Sequence, residues 1–169
     1  MKNSILVFFT CLSLIVFSSC TTEAIDDTSS ILGEWTLTSW EVDLPMDLNN
    51  DGTPQTKFSP GCLSDSTLNF MDANNATIFY ASDVSYNTTI EDGKLVFMTS
   101  CSTSSDRVPT LVSYSTNGNS AIINFEGESI VLNLDNNTLT MFVPNGFVAK
   151  DIDTFETTVS QHVTYTFTR

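Results

Sequence analysis

The stretch DLNNDGTPQT sets oxygen-bearing side chains at the spacing a calcium ion requires. Asp47, Asn49 and Asp51 stand at positions one, three and five of a calcium-binding loop, Gly52 can make the sharp turn at six, and Thr53 offers its carbonyl at seven. Position twelve is Phe58, where such a loop needs a bidentate glutamate, and Pro54 and Pro60 oppose the helix that would carry one. Asp43 can add an oxygen from the preceding segment. With two or three carboxylates, affinity for Ca2+ would be weak, on the order of 0.1 to 1 mM. The competing reading is a turn in which Asn50, Asp51 and Gly52 reverse the chain and the Asx side chains cap free amides. No cofactor is required by either reading.

Other candidate chemistry is thinner. Asp151, Asp153 and Glu156 form an acidic cluster that suits a second metal site, one half of a glycosidase carboxylate pair, or a solvated loop. The single histidine, His162, sits in a strongly alternating segment among polar neighbours, so no cysteine has an evident base. Zinc spacing, a nucleophile elbow and a glycine-rich phosphate loop are all missing from the sequence. The chain therefore reads as a non-enzyme with no catalytic residues. Its formal net charge is −14, and Lys57, Lys94, Arg107 and Lys150 are scattered singly, which excludes nucleic acid as an expected partner.

The elements that must position these residues are strands. From Ile31 onward the apolar pattern has period two, and turn signals recur at Asn74-Asn75, Asp92-Gly93, Asn117-Gly118, Gly127, Asn136-Asn137 and Asn145-Gly146. Between them lie TLNFM, ATIFY, KLVFM, TLVSY, AIINF, SIVLNL and TLTMF. In TTVSQHVTYTFTR, Val159, Val163, Tyr165 and Phe167 share one face while threonines, Ser160 and His162 share the other. About eight to ten antiparallel strands joined by tight turns predict an all-β, up-and-down meander barrel over residues 31–169, because closure removes exposed edges. A two-sheet sandwich is the competing architecture. In ILGEWTLTSWEV the apolar parity switches between Leu37 and Trp40, which predicts a bulge or sharp bend.

Ahead of the domain, Lys2, the apolar run from Ile5 to Phe17 and the small residues Ser18 and Ser19 read as a signal peptide spanning 1–19, too short to stay as a membrane span. FSSC resembles a bacterial lipobox, although Phe17 stands where most carry leucine. The resemblance implies that Cys20 is lipidated and anchors the protein; an ordinary secretory peptide is the alternative. Residues 20–30 then form a polar, acidic tether, and Glu23, Asp26 and Asp27 resemble the surface-export signal of Bacteroidetes-type lipoproteins. The expected location is the outer membrane, on its periplasmic face or at the cell surface. Cys11 leaves with the signal peptide and Cys20 carries lipid, so Cys62 and Cys101 remain for one disulfide in an oxidising compartment.

Lipobox, short tether and then GEW at Gly33 to Trp35 resemble the lipocalin-like lipoproteins of Bacteroidetes, over essentially all of Leu32 to Arg169. The resemblance implies that Gly33 lets the chain enter the barrel base, that Trp35 fills the base, and that Arg169 lies across the Trp35 ring. It also implies a monomeric binder of a small apolar or amphipathic molecule, held by an inner face carrying Phe70, Phe97, Phe125, Met141 and Tyr165. Those residues equally suit a filled core. The alternative function is a structural or accessory envelope lipoprotein that displays its domain to a protein or glycan partner.

Overall fold

The computed structural model describes residues 30–169 apart from positions 73, 104, 105 and 126. The expected signal peptide, Cys20 and nearly all of the tether lie outside the described residues. Among the described residues no helix is long and apolar enough to cross a membrane.

Among the described residues eleven strands form: β1 (Gly33–Met46), β2 (Gln55–Phe58), β3 (Thr67–Phe70), β4 (Asn75–Phe79), β5 (Asp83–Glu91), β6 (Lys94–Ser102), β7 (Thr110–Asn117), β8 (Ser120–Phe125), β9 (Glu128–Asp135), β10 (Thr138–Asp151) and β11 (Thr157–Thr168). A 3-10 turn, Gly61–Leu63, follows β2. Strands β1, β3, β4, β7, β8, β9, β10 and β11 pair antiparallel in that order, and β11 returns to β1. The result is a closed, eight-stranded up-and-down barrel. The tight connections follow from residues that accept a left-handed backbone: Asp92 and Gly93 have φ of 49° and 74°, and Asn136 has φ of 54°.

Three strands lie outside this ring. The β5–β6 hairpin is inserted between β4 and β7, and β5 runs parallel to the end of β10, with Tyr86 beside Ala149. Short β2 pairs only with β1. Neither DVSYNTTIE nor QTKF stood out in the sequence, because each mixes polar residues into positions where a strand usually shows an apolar face. The Asn145-Gly146 signal is also corrected: it interrupts the register of β10 between Val143 and Phe147 and does not end the strand. Asn145 takes φ of 52° there, and its N–H donates to His162 Nδ1 at 3.0 Å. His162 thus serves the bulge.

Two apolar clusters result, and the long strands β1, β10 and β11 run through both. Inside the barrel, Trp35, Leu37, Leu68, Phe70, Ile123 and Met141 belong to the larger one. Beyond it, Trp40, Val42, Phe58, Phe97, Phe147 and Val163 make the smaller one under β2 and the β5–β6 hairpin. The register of β1 against β11 slips between Leu37 and Ser39. That bulge turns the apolar parity over, so Trp35 and Leu37 face one cluster and Trp40 and Val42 the other.

Cys62 in the 3-10 turn is bonded to Cys101 on β6, with Cα atoms 5.6 Å apart. The bond ties the inserted hairpin to the segment between β2 and β3.

Candidate functional site

At the base, Gly33 has φ of +113°, a conformation that favours glycine, and admits the chain to β1. Trp35 is fully buried, and its Nε1 donates to the Ile31 carbonyl at 2.8 Å. The Arg169 guanidinium lies 4.6 Å from the Trp35 ring centroid and Nη1 also donates to the carbonyls of Ser30 and Leu32 at 2.8 and 3.1 Å. Gly33 and Trp35 at the start of β1 and Arg169 just past β11 thus close one end of the barrel, where Ser30, the first described residue, also lies.

The barrel interior is filled. The void beside Leu37, Leu68, Met141 and Phe167 has a volume of about 10 Å³, which holds no organic ligand. Space opens instead at the end opposite the base, where a concavity of about 330 Å³ is lined by Tyr80, Phe125, Glu128, Ile130, Val143 and Tyr165. Tyr165 packs against both apolar clusters, and burial, then the nearby Tyr80 and Tyr86 phenols, push its hydroxyl pKa up, so it stays a neutral donor. The rim at the end of β4 is held by Arg107, whose Nη1 donates to the Tyr80 carbonyl at 3.0 Å while Nη2 pairs with the Asp83 carboxylate. The site therefore has an apolar wall, two phenols and one carboxylate.

Of the five aromatic or methionine residues expected on the inner face, only Phe125 and Tyr165 reach this concavity. Phe70 and Met141 are 1% exposed within the packed core, and Phe97 lies in the second cluster, outside the barrel. Sequence reasoning missed Tyr80, Ile130 and Val143. Each sits at the inward parity of ATIFY, SIVLNL or the strand begun by TLTMF, and that parity was the available signal.

The opening stretch folds as a capped turn. Asp47 accepts the N–H groups of Asp51 and Gly52 at 2.9 and 2.8 Å, and Asp51 accepts Thr53 N–H at 2.7 Å and Asn49 Nδ2 at 2.8 Å. The Asn49 hydrogen bond, followed by that from Thr53, holds the Asp51 carboxyl below its ordinary range. These oxygens face the loop's own amides, and among the described residues no three His, Cys, Asp or Glu side chains converge as a metal-binding group. Asp43 is exposed on β1 and takes no part in the turn's hydrogen bonds. Asp151 behaves likewise: it caps Thr154 and Asp153 N–H at 2.9 and 3.0 Å in the turn before β11, and those bonds lower its pKa.

Asn50 does something the sequence did not suggest. Its side-chain amide donates to the Phe97 carbonyl at 2.8 Å and accepts the Phe97 N–H at 2.9 Å, so it mimics one residue of a neighbouring strand on the edge of β6. Asn50, in the loop before β2, and Cys62, in the turn after it, thereby tie the segments flanking β2 to β6 at two points, and between them lies a groove of about 430 Å³.

A closed eight-stranded barrel with a Gly-x-Trp base under an arginine, open at the other end, is a lipocalin-like fold. No protein-family model, no curated protein and no solved structure matches this chain.

Proposed function

We propose that this chain is a lipocalin-like lipoprotein, tethered to the outer membrane through Cys20, which binds a small amphipathic molecule at the barrel mouth. The observation that carries this reading is the concavity of about 330 Å³ opposite the base. Its volume falls at the lower end of the range for small-molecule sites, about 300 to 1,000 Å³. Phe125, Ile130 and Val143 would receive the apolar part of the ligand, and the Tyr80 and Tyr165 phenols with Glu128 would orient its polar end. Because Ser30, the first described residue, is held at the base by Arg169, a tether through Cys20 would hold the mouth away from the membrane and open to diffusing ligand.

The test is titration of the full chain, exported so that its disulfide forms, with a fluorescent fatty acid. Binding with a Kd on the order of 10 µM, weakened about tenfold or more by Phe125→Ala with Ile130→Ala, is the expected result. No binding at about 100 µM, or binding indifferent to that double variant, would overturn the mouth as a ligand site.

A second reading, an accessory lipoprotein that presents its domain to a partner, is supported by a row on the outer wall. Ile122, Val131 and Phe142 are 36, 46 and 45% exposed, and Ile122 pairs directly with Val131 across β8 and β9.

A further inference from the structure

We infer that the groove between β2 and β6 is a second binding site, and that it takes a neutral saccharide. It is separate from the barrel mouth. Its volume, about 430 Å³, accommodates one or two sugar rings, and its lining combines the two requirements of sugar recognition. The amides of Asn49 and Gln55, the Thr99 hydroxyl and the Tyr86 phenol supply neutral donors and acceptors, while Trp40 and Phe58 supply an apolar floor.

Charge narrows the class of ligand. The chain carries 20 Asp and Glu against 6 Lys and Arg, yet among the described residues no carboxylate lines this groove, so nothing there attracts a cation. Lys57 is its one formal charge, and Glu41 stands directly across from Lys57 in the β1–β2 pairing. The opposite charge so near on the sheet lessens the pull of Lys57 on an anion, which favours an uncharged, hydroxyl-rich ligand.

The groove is also held open before any ligand arrives. One wall is the loop carrying Asn49, fixed by the two hydrogen bonds between neighbouring Asn50 and Phe97, one donated by each. The other is the 3-10 turn, fixed by the Cys62–Cys101 bond. The floor is set by Trp40, which stacks on Phe58 at 4.5 Å and donates from Nε1 to the Ser59 carbonyl at 3.0 Å. Groups fixed in advance lose little entropy on binding. Burial pushes the Tyr86 phenol up to about 12, so it remains protonated and able to donate at physiological pH.

An extended peptide fits less well. Phe97 turns its backbone groups outward to Asn50, so by strand parity Thr99 and Cys101 turn outward too. Between the Asn50 clamp and the disulfide only Thr99 is left on the β6 edge, too little for an added strand.

The experiment titrates the oxidised full chain with maltotriose, cellotriose and chitotriose, read by saturation-transfer NMR and by tryptophan fluorescence. At least one trisaccharide should bind with a Kd below about 1 mM. Gln55→Ala with Tyr86→Phe should weaken it about tenfold or more, and Asn50→Gly, which keeps the left-handed backbone while removing the clamp, should weaken it as well. Fatty-acid titration of Gln55→Ala and of Asn50→Gly reads the mouth separately and should be unchanged, while Phe125→Ala should leave saccharide binding intact. No trisaccharide bound at about 10 mM, or binding that survives Gln55→Ala with Tyr86→Phe, would overturn the proposal.

Discussion

Arg169 and Trp35 illustrate how much of a barrel end can rest on one residue pair. The guanidinium contributes a cation–π contact and two hydrogen bonds to carbonyls that the base leaves without strand partners. Arg169→Ala should therefore cost about 1 to 2 kcal/mol in urea unfolding, a partly exposed contact plus modest net hydrogen bonds. Arg169→Lys should recover less than half of that, since a point charge replaces a planar fork. Acid sensitivity also belongs to individual residues. Asp51, Asp72 and Asp151 are held below the ordinary value of 3.8, chiefly by the Asn49 side chain, the Asn75 side chain and the Thr154 amide respectively. A carboxyl depressed in the folded state stabilises above its unfolded pKa, and that contribution is lost as pH falls through the folded value. The urea midpoint should thus hold steady from pH 7 to about 5 and fall below pH 4. The Asp51→Asn, Asp72→Asn, Asp151→Asn triple variant should show a shallower fall. A midpoint drop of equal depth in that variant would assign the acid sensitivity elsewhere. Trp35 and Arg169 were legible in the sequence because a Gly-x-Trp entry and a terminal arginine keep their identity wherever the barrel places them. Asn50 was not, because its partner is a backbone segment on β6, 47 residues away.

Strand parity decides what each element contributes. In β1 the slip between Leu37 and Ser39 hands the strand from one apolar cluster to the other, and the parity switch in ILGEWTLTSWEV announced it. The β5–β6 hairpin gave weaker notice. KLVFM read as a strand, but its partner DVSYNTTIE has one side chain after another that is polar, and its burial comes from packing beside β10. This hairpin pairs with a barrel strand through a short parallel ladder, and the Asn50–Phe97 hydrogen bonds, the packing of Phe97 and the Cys62–Cys101 bond add to its attachment. Closing a chain separation of 39 residues stabilises by about 4 kcal/mol in the loop-entropy view. The Cys62→Ser, Cys101→Ser double variant should lose stability of about that size, measured by thermal unfolding. Its amide exchange should rise first in residues 83–102 while β7 to β9 stay protected, as expected when a locally attached unit opens before the barrel. Uniform loss of protection would mean that hairpin and barrel unfold as one.

For the whole molecule, the base and the mouth lie at opposite ends, and the second cluster stands beside the mouth as an annex. The sequence by itself determined that the chain is all-β, that its strands alternate and turn tightly enough to close, where the first strand bends, and which cysteines could pair. These follow from local rules: period-two burial, left-handed turn residues and the redox arithmetic of a small number of thiols. Tertiary structure alone decided which inward-facing residues are core and which line space. Phe70, Phe97 and Phe125 look alike in a strand pattern, yet one is packed inside the barrel, one supports the annex and one borders the mouth. The same holds for DLNNDGTPQT. Its spacing suited calcium or a turn, and the fold gave its side chains partners that the sequence did not name: its own amides for Asp47 and Asp51, and the edge of β6 for Asn50. Spacing along a chain constrains which atoms can meet, but a carboxylate or amide is claimed by whichever donor the packing brings nearest, and that is a property of the folded whole.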